Sequence, residues 1–180
     1  MLQPNEKRIL AIDLRSRSFG FAVFEGSTRL LDWGVRSFRQ GINVVKIPAS
    51  EKLAGLMDEF SPSAIVVRKG FVENRKKVGM RQALVMQAEK HRIPVRLLSR
   101  CVVKNAFVGS NRNKYVIAAA LAKQLPELAP KLPSVRKIWK SEDYRMSIFD
   151  AAALGVAYFS PGKPAEPSRV GRSLMPHTKA

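Results

Sequence analysis

Cysteine, histidine and acid are what this sequence is short of. Cys101 is the single cysteine among 180 residues, so no internal disulfide can form, which agrees with a reducing compartment. Only two histidines, His91 and His177, stand beside it, too few for a zinc centre of the finger or ribbon type. Any catalytic metal would have to sit on carboxylates. No apolar run approaches the ~18–20 residues that cross a bilayer. Residues 1–8 do not resemble a secretory signal, because Pro4, Asn5 and Glu6 precede only a short apolar stretch. Acids number 14 against 32 Lys and Arg, a formal net charge of +18. A folded surface with that much like charge repels itself, which points to a polyanionic partner, nucleic acid before an anionic membrane. The 46% hydrophobic content argues against a disordered basic chain and suits one compact domain that buries roughly 70% of its unfolded surface.

What is present reads first as strands and then as helices. Residues 8–14 form an apolar run ending in Asp13, a polar turn follows, and residues 19–25 and 28–38 supply two more extended stretches around Gly26. Three strands joined by tight turns make an antiparallel meander. Residues 41–60 carry apolar side chains at helical spacing, with Ser50 as N-cap, and Pro62 ends that helix. The continuous apolar run 64–67 suits a strand buried on both faces. A basic loop (68–77), a helix (78–91) and a further strand (94–98) come next. Residues 102–107, 113–125 and 148–159 read as helical, the middle one with Val116, Ile117, Ala120, Leu121 and Leu125 on one face. The order predicts an α/β domain over residues 1–160, with a mixed five-stranded sheet, three antiparallel strands then two parallel, flanked by helices. Residues 161–180, rich in proline and scattered cations, read as a disordered basic tail.

Two acids stand out. Asp13 follows four apolar residues at the end of what should be the central strand, where a charge needs a reason. A turn-capping role near Ser16 and Ser18 is one such reason. Asp150 opens an otherwise apolar, small-residue helix, where complementing the helix dipole would also account for it.

Together with their surroundings these residues resemble the RuvC-type Holliday-junction resolvases of the RNase H-like, or retroviral-integrase-like, superfamily. The likeness is densest in AIDLRSRSFGFAV (residues 11–23), continues in VKNAFVGSNRNKYV (103–116) and ends in FDAAALGVA (149–157). The resemblance implies an RNase H-like fold and two-metal phosphodiester hydrolysis. In that chemistry about four acids hold two Mg²⁺ or Mn²⁺ ions ~3.5–4 Å apart across the scissile phosphate. Asp13 matches the first family acid and Asp150 the last. At the second position stands Arg68, and at the third Ser147. A guanidinium there would neutralise the aspartates and replace the metal by a salt bridge, so Arg68 is expected within salt-bridge reach of Asp13 or Asp150. Glu73, or Glu142 or Asp143 ahead of the last helix, would be the compensating acids if Asp13 and Asp150 still hold metal.

The resemblance also places cations beside the cleft: Arg15 and Arg17 after Asp13, then Lys69, Arg75, Lys76, Lys77 and Arg81, then Lys104, Arg112 and Lys114. Phe71 sits where the family carries an aromatic that stacks on or wedges into the junction, although a core role is open to it. Trp33 and Trp139 read as packing residues. The expected function is binding of branched or structured DNA, with hydrolysis lost or weakened at Arg68 and Ser147. An active Mg²⁺-dependent junction endonuclease of DNA recombination and repair is one alternative, and a structural protein of an RNA assembly is another. A homodimer, and a cytoplasmic location on nucleoid DNA without membrane contact, complete the expectation.

Overall fold

The computed structural model describes residues 7–15, 17–37, 49–69, 78–107, 113–160 and 166–167. Strands β1 (Arg8–Leu14), β2 (Ser18–Glu25) and β3 (Arg29–Ser37) form the meander. Helix α1 (Ala49–Phe60), β4 (Ala64–Arg68), α2 (Val78–Lys90) and β5 (Val95–Leu98) follow. Then come α3 (Arg100–Asn105), α4 (Lys114–Gln124), a 3₁₀ turn (Pro126–Lys131) and α5 (Met146–Phe159). The sheet order is β3-β2-β1-β4-β5, with β1 antiparallel to β2 and parallel to β4. The mixed five-stranded sheet expected from the sequence is therefore present. A two-residue strand β6 (Glu166–Pro167) adds an antiparallel edge to β5. A dipeptide carries no pattern of its own, so this pairing within residues 161–180 has no sequence signal.

Every residue of β1 except Arg8 is buried, as a central strand covered on both faces requires. Alternation then sorts its side chains. Leu10, Ile12 and Leu14 join Phe19, Phe21, Val23, Ile65 and Val67 in a core under α1 and α2. Ile9 and Ala11 join Ala22, Phe24, Ala64 and Val66 in a second core under α4 and α5. Asp13 and Arg68 continue the second set by the same period of two, so both side chains are directed to the α5 face before any specific contact is considered.

Helix α5 can lie close to the sheet because both surfaces are small where they meet. A β-carbon on Gly20 would come within 2.2 Å of the Ser147 carbonyl oxygen, and one on Gly155 within 2.2 Å of the Phe24 ring. Ala151 and Ala152, fully buried, fill the space between.

Local differences from the sequence reading have simple causes. Helix α1 begins at Ala49, so Ser50 lies inside it and Glu51 takes the first turn, where its charge complements the exposed amides. Helix α3 begins at Arg100 because Ser99 caps it, its hydroxyl accepting from Val102 N–H at 3.3 Å. The buried face of α4 is Ile117, Ala118 and Leu121, while Val116 points outward; a helix this alanine-rich has little amphipathic contrast to set its rotation. Trp33 packs against the α5-side core, but Trp139 is 79% exposed and is not a packing residue. It lies in a connector without helical or strand periodicity, so nothing turns it inward.

Two glycines make this packing testable by thermal melting. Gly20→Ala should destabilise by about 1–3 kcal/mol through overpacking. Gly55→Ala, in α1 with no atom near the added methyl, should stabilise by about 0.5–1 kcal/mol.

Candidate functional site

The C-terminal ends of β1 and β4 and the second turn of α5 meet at one place, and six charged side chains converge there. The turn after β1 is closed by Arg15 N–H donating to Ser18 O at 2.9 Å, and the Arg15 side chain folds back over Asp13. Its guanidinium makes three separate bonds: Nε to Asp13 Oδ2 at 3.0 Å, Nη1 to Glu142 Oε2 at 3.0 Å and Nη2 to Asp150 Oδ2 at 3.2 Å. Lys114, in the first turn of α4, donates from Nζ to Glu142 Oε1 and Asp150 Oδ2, both at 2.9 Å. Arg68 is more distant, its Nη2 at 3.5 Å from Asp13 Oδ1 and 3.7 Å from Asp150 Oδ1. Three carboxylates face three cations, a formally neutral network that ties β1, β4, α4 and the α5 connector together.

Burial sets the energetics. The Asp13 side chain keeps only 12% of its exposure. Desolvation, and next the repulsion of Asp150, push its carboxyl above the ordinary range, and Arg15 and Arg68 offset this only in part. Glu142 goes the other way. Partial burial raises it, but the hydrogen bond and charge of Lys114, joined by Arg15, outweigh burial and hold it below the usual glutamate value. Burial likewise lowers Arg15 and Lys114, and their acidic partners more than compensate, Asp13 leading for Arg15 and Asp150 for Lys114.

Of the residues singled out in the sequence, Asp13, Asp150, Arg68, Arg15 and Lys114 are brought together. Arg15 and Lys114, expected at DNA phosphates, are engaged with carboxylates. Glu142 is the third acid of the network; Asp143 instead bonds its neighbour Arg145 at 2.7 Å. Ser147 is fully buried against Gly20, and its hydroxyl has no hydrogen-bond partner among the described residues. Arg17 and Lys69 are exposed and Arg81 half-buried at the start of α2. Phe71, Glu73, Arg75, Lys76, Lys77 and Arg112 lie outside the described residues. Beside the network an open pocket is lined by Arg68, Lys104, Lys114 and Asp150, with Phe149 and Leu154 beneath. Arg100 joins this rim. A lone cation at a strand-to-helix junction carries no motif, so nothing in the sequence singles it out.

Two solved structures of Thermus thermophilus RuvC match this architecture. One is RuvC in complex with Holliday junction substrate, at 18% sequence identity and a TM-score of 0.59, with 84% of this chain and 92% of that chain covered. The other, at 19% identity and a TM-score of 0.60, covers 89% of this chain and 99% of that one. The chain has the RuvC fold. No protein-family model matches the sequence, and no curated protein matches it.

The RuvC fold implies a divalent-metal centre, and the described residues do not fit one. Hard cations require several oxygen donors turned toward a common point. Here Arg15, Arg68 and Lys114 occupy the space that Asp13, Asp150 and Glu142 share, and among the described residues no group of three or more Asp, Glu, His or Cys could hold a metal ion. Ser147, sealed under Gly20, offers no donor to the cleft.

The network has a pH signature that thermal melting of Glu142→Gln against the parent can read. The glutamate's folded value lies below its ordinary 4.5. Its stabilisation is therefore complete above pH 4.5 and disappears as pH falls through the folded value. The variant should melt lower than the parent at neutral pH, and the gap should close in acid. Asp13 has the opposite sign, since its raised value withdraws stability as pH rises from 3.8 through the folded value.

Proposed function

We propose that this chain binds branched DNA and does not hydrolyse it. The observation that carries this reading is the neutral network of Asp13, Asp150 and Glu142 with Arg15, Arg68 and Lys114. Two-metal hydrolysis needs an acid cluster whose negative charge is left for the ions; here each carboxylate is matched by a cation of the same chain. The guanidiniums take over the structural part of the metal's work, holding the ends of β1, β4 and α5 at fixed spacing, and supply no activated water.

Binding is supported by other residues. Arg100 and Lys104 on the pocket rim offer cations to phosphate oxygens, and the excess charge of +18 supplies long-range attraction. The RuvC fold supports a branched substrate, because Thermus thermophilus RuvC has been solved in complex with Holliday junction substrate. An RNA-assembly role has no comparable support.

The test is a titration of the purified protein with a four-way junction, a matched duplex and a single strand, each with Mg²⁺ or Mn²⁺. The junction should bind most tightly and its strands should stay intact. If six to ten phosphates are contacted, affinity should fall by about 10³–10⁵ between 50 and 200 mM salt. Metal-dependent junction cleavage that Asp13→Asn abolishes would overturn the non-hydrolytic reading. Equal affinity for junction and duplex would overturn the preference for branches.

A further inference from the structure

The connector between the 3₁₀ turn and α5 carries an unusual surface. Within ten positions it exposes Val135 (66%), Ile138 (92%), Trp139 (79%) and Tyr144 (68%). Apolar groups left in water at this density mark an interaction surface. Cations alternate with them: Arg136, Lys137 and Lys140, with Lys137 Nζ 5.6 Å from the centre of the Trp139 ring. The connector's own acids do not neutralise these three, because Glu142 is held by Arg15 and Lys114 and Asp143 by Arg145. The segment is tied down at both ends. Pro133 is buried and Leu132 packs against the core, Lys140 N–H closes a turn onto Lys137 O at 3.0 Å, and Glu142 fastens the far end to the ion network.

Charge selects the occupant. A second copy of this chain would bring three cations, which no ion pair among the described residues neutralises, against three, on molecules each carrying +18, and like charges across an interface repel. A nucleic acid meets both halves of the surface at once, since its phosphates pair with the cations and an unpaired base presents a flat face to the indole. A fully paired duplex has no such face to offer except at its ends.

We propose that residues 135–144 form a stacking platform for unpaired bases of branched DNA, with Trp139 under a base and Arg136, Lys137 and Lys140 on the flanking phosphates. This rests on the DNA-binding reading above and adds to it where the strands open. The platform discriminates open from paired DNA, a distinction that the cationic rim of the cleft cannot make by charge alone.

The experiment compares the full chain with Trp139→Ala and Trp139→Phe, each titrated with a forked DNA bearing unpaired arms and with a blunt duplex of equal length. Stacking on an aromatic side chain carries about a 5- to 150-fold effect on affinity per base. Trp139→Ala should lose that much affinity for the fork and little for the duplex, and Trp139→Phe should recover most of it. In a Trp33→Phe background Trp139 is the only indole, and its fluorescence should be quenched by the fork and not by the duplex. A Trp139→Ala protein that binds the fork as tightly as its parent, or a fork that binds without quenching, overturns the platform and leaves the DNA-binding reading standing. A parent that binds neither DNA overturns both. Self-association at micromolar concentration that Trp139→Ala abolishes assigns the surface to a second copy and overturns the platform.

Discussion

A carboxylate at the buried end of a central strand sets the terms for the rest of this molecule. Asp13 cannot turn to the α1 and α2 side, because alternation along β1 gives that side to Ile12 and Leu14. It must face α5, where Asp150 waits with the same sign of charge. Two carboxylates in one partly desolvated space are tolerable only with cations between them. Arg15 answers this with three bonds in three directions, which the fixed fork of a guanidinium allows and an ammonium does not. Lys114 and Arg68 complete the balance, and Glu142 then matches the surplus positive charge. Such a network adds little net stability over a well-packed apolar core, yet removing one member leaves a buried charge exposed to its neighbours. Its six residues therefore stand or fall together.

Packing and electrostatics are joined at α5. Gly20 and Gly155 admit the helix so closely that Ser147 disappears beneath β2. The same approach carries Asp150, one turn further on, to the C-terminal ends of β1 and β4. A larger residue at position 20 would lift the first turn of the helix and lengthen every bond that Asp150 makes. The small-residue run of α5, which looks like a weak core pattern in one dimension, is what gives the ion network its distances.

Among the described residues, the positive charge at this site and along the connector consequently divides into two populations. Arg15, Arg68 and Lys114 are committed inward, to acids of the same chain. Arg100 and Lys104 on the pocket rim, and Arg136, Lys137 and Lys140 along the connector, face outward. The first population closes the corner where the ends of β1, β4 and α5 meet; the second is what the proposed binding of branched DNA draws on.

Much of the architecture was legible in the residues. The apolar run of β1, the meander around Gly26 and the alternation of strand and helix after residue 60 led directly to the mixed five-stranded sheet, because burial on two faces and short turns leave few other arrangements. Asp13, Arg68 and Asp150 could be singled out by their unexpected surroundings or their place in a familiar order of motifs. What the order of residues could not disclose was which of several neighbouring charges would meet. Glu142 and Asp143 are adjacent in the chain, yet one reaches Arg15, 127 positions away, and the other bonds Arg145. Trp139, which no motif claims and which therefore reads as a packing residue, is in water. By itself the sequence determined the periodicities, and with them which face each side chain takes. Only the tertiary structure decided partners and exposure, since ion pairing and burial depend on distances between segments that local pattern does not encode.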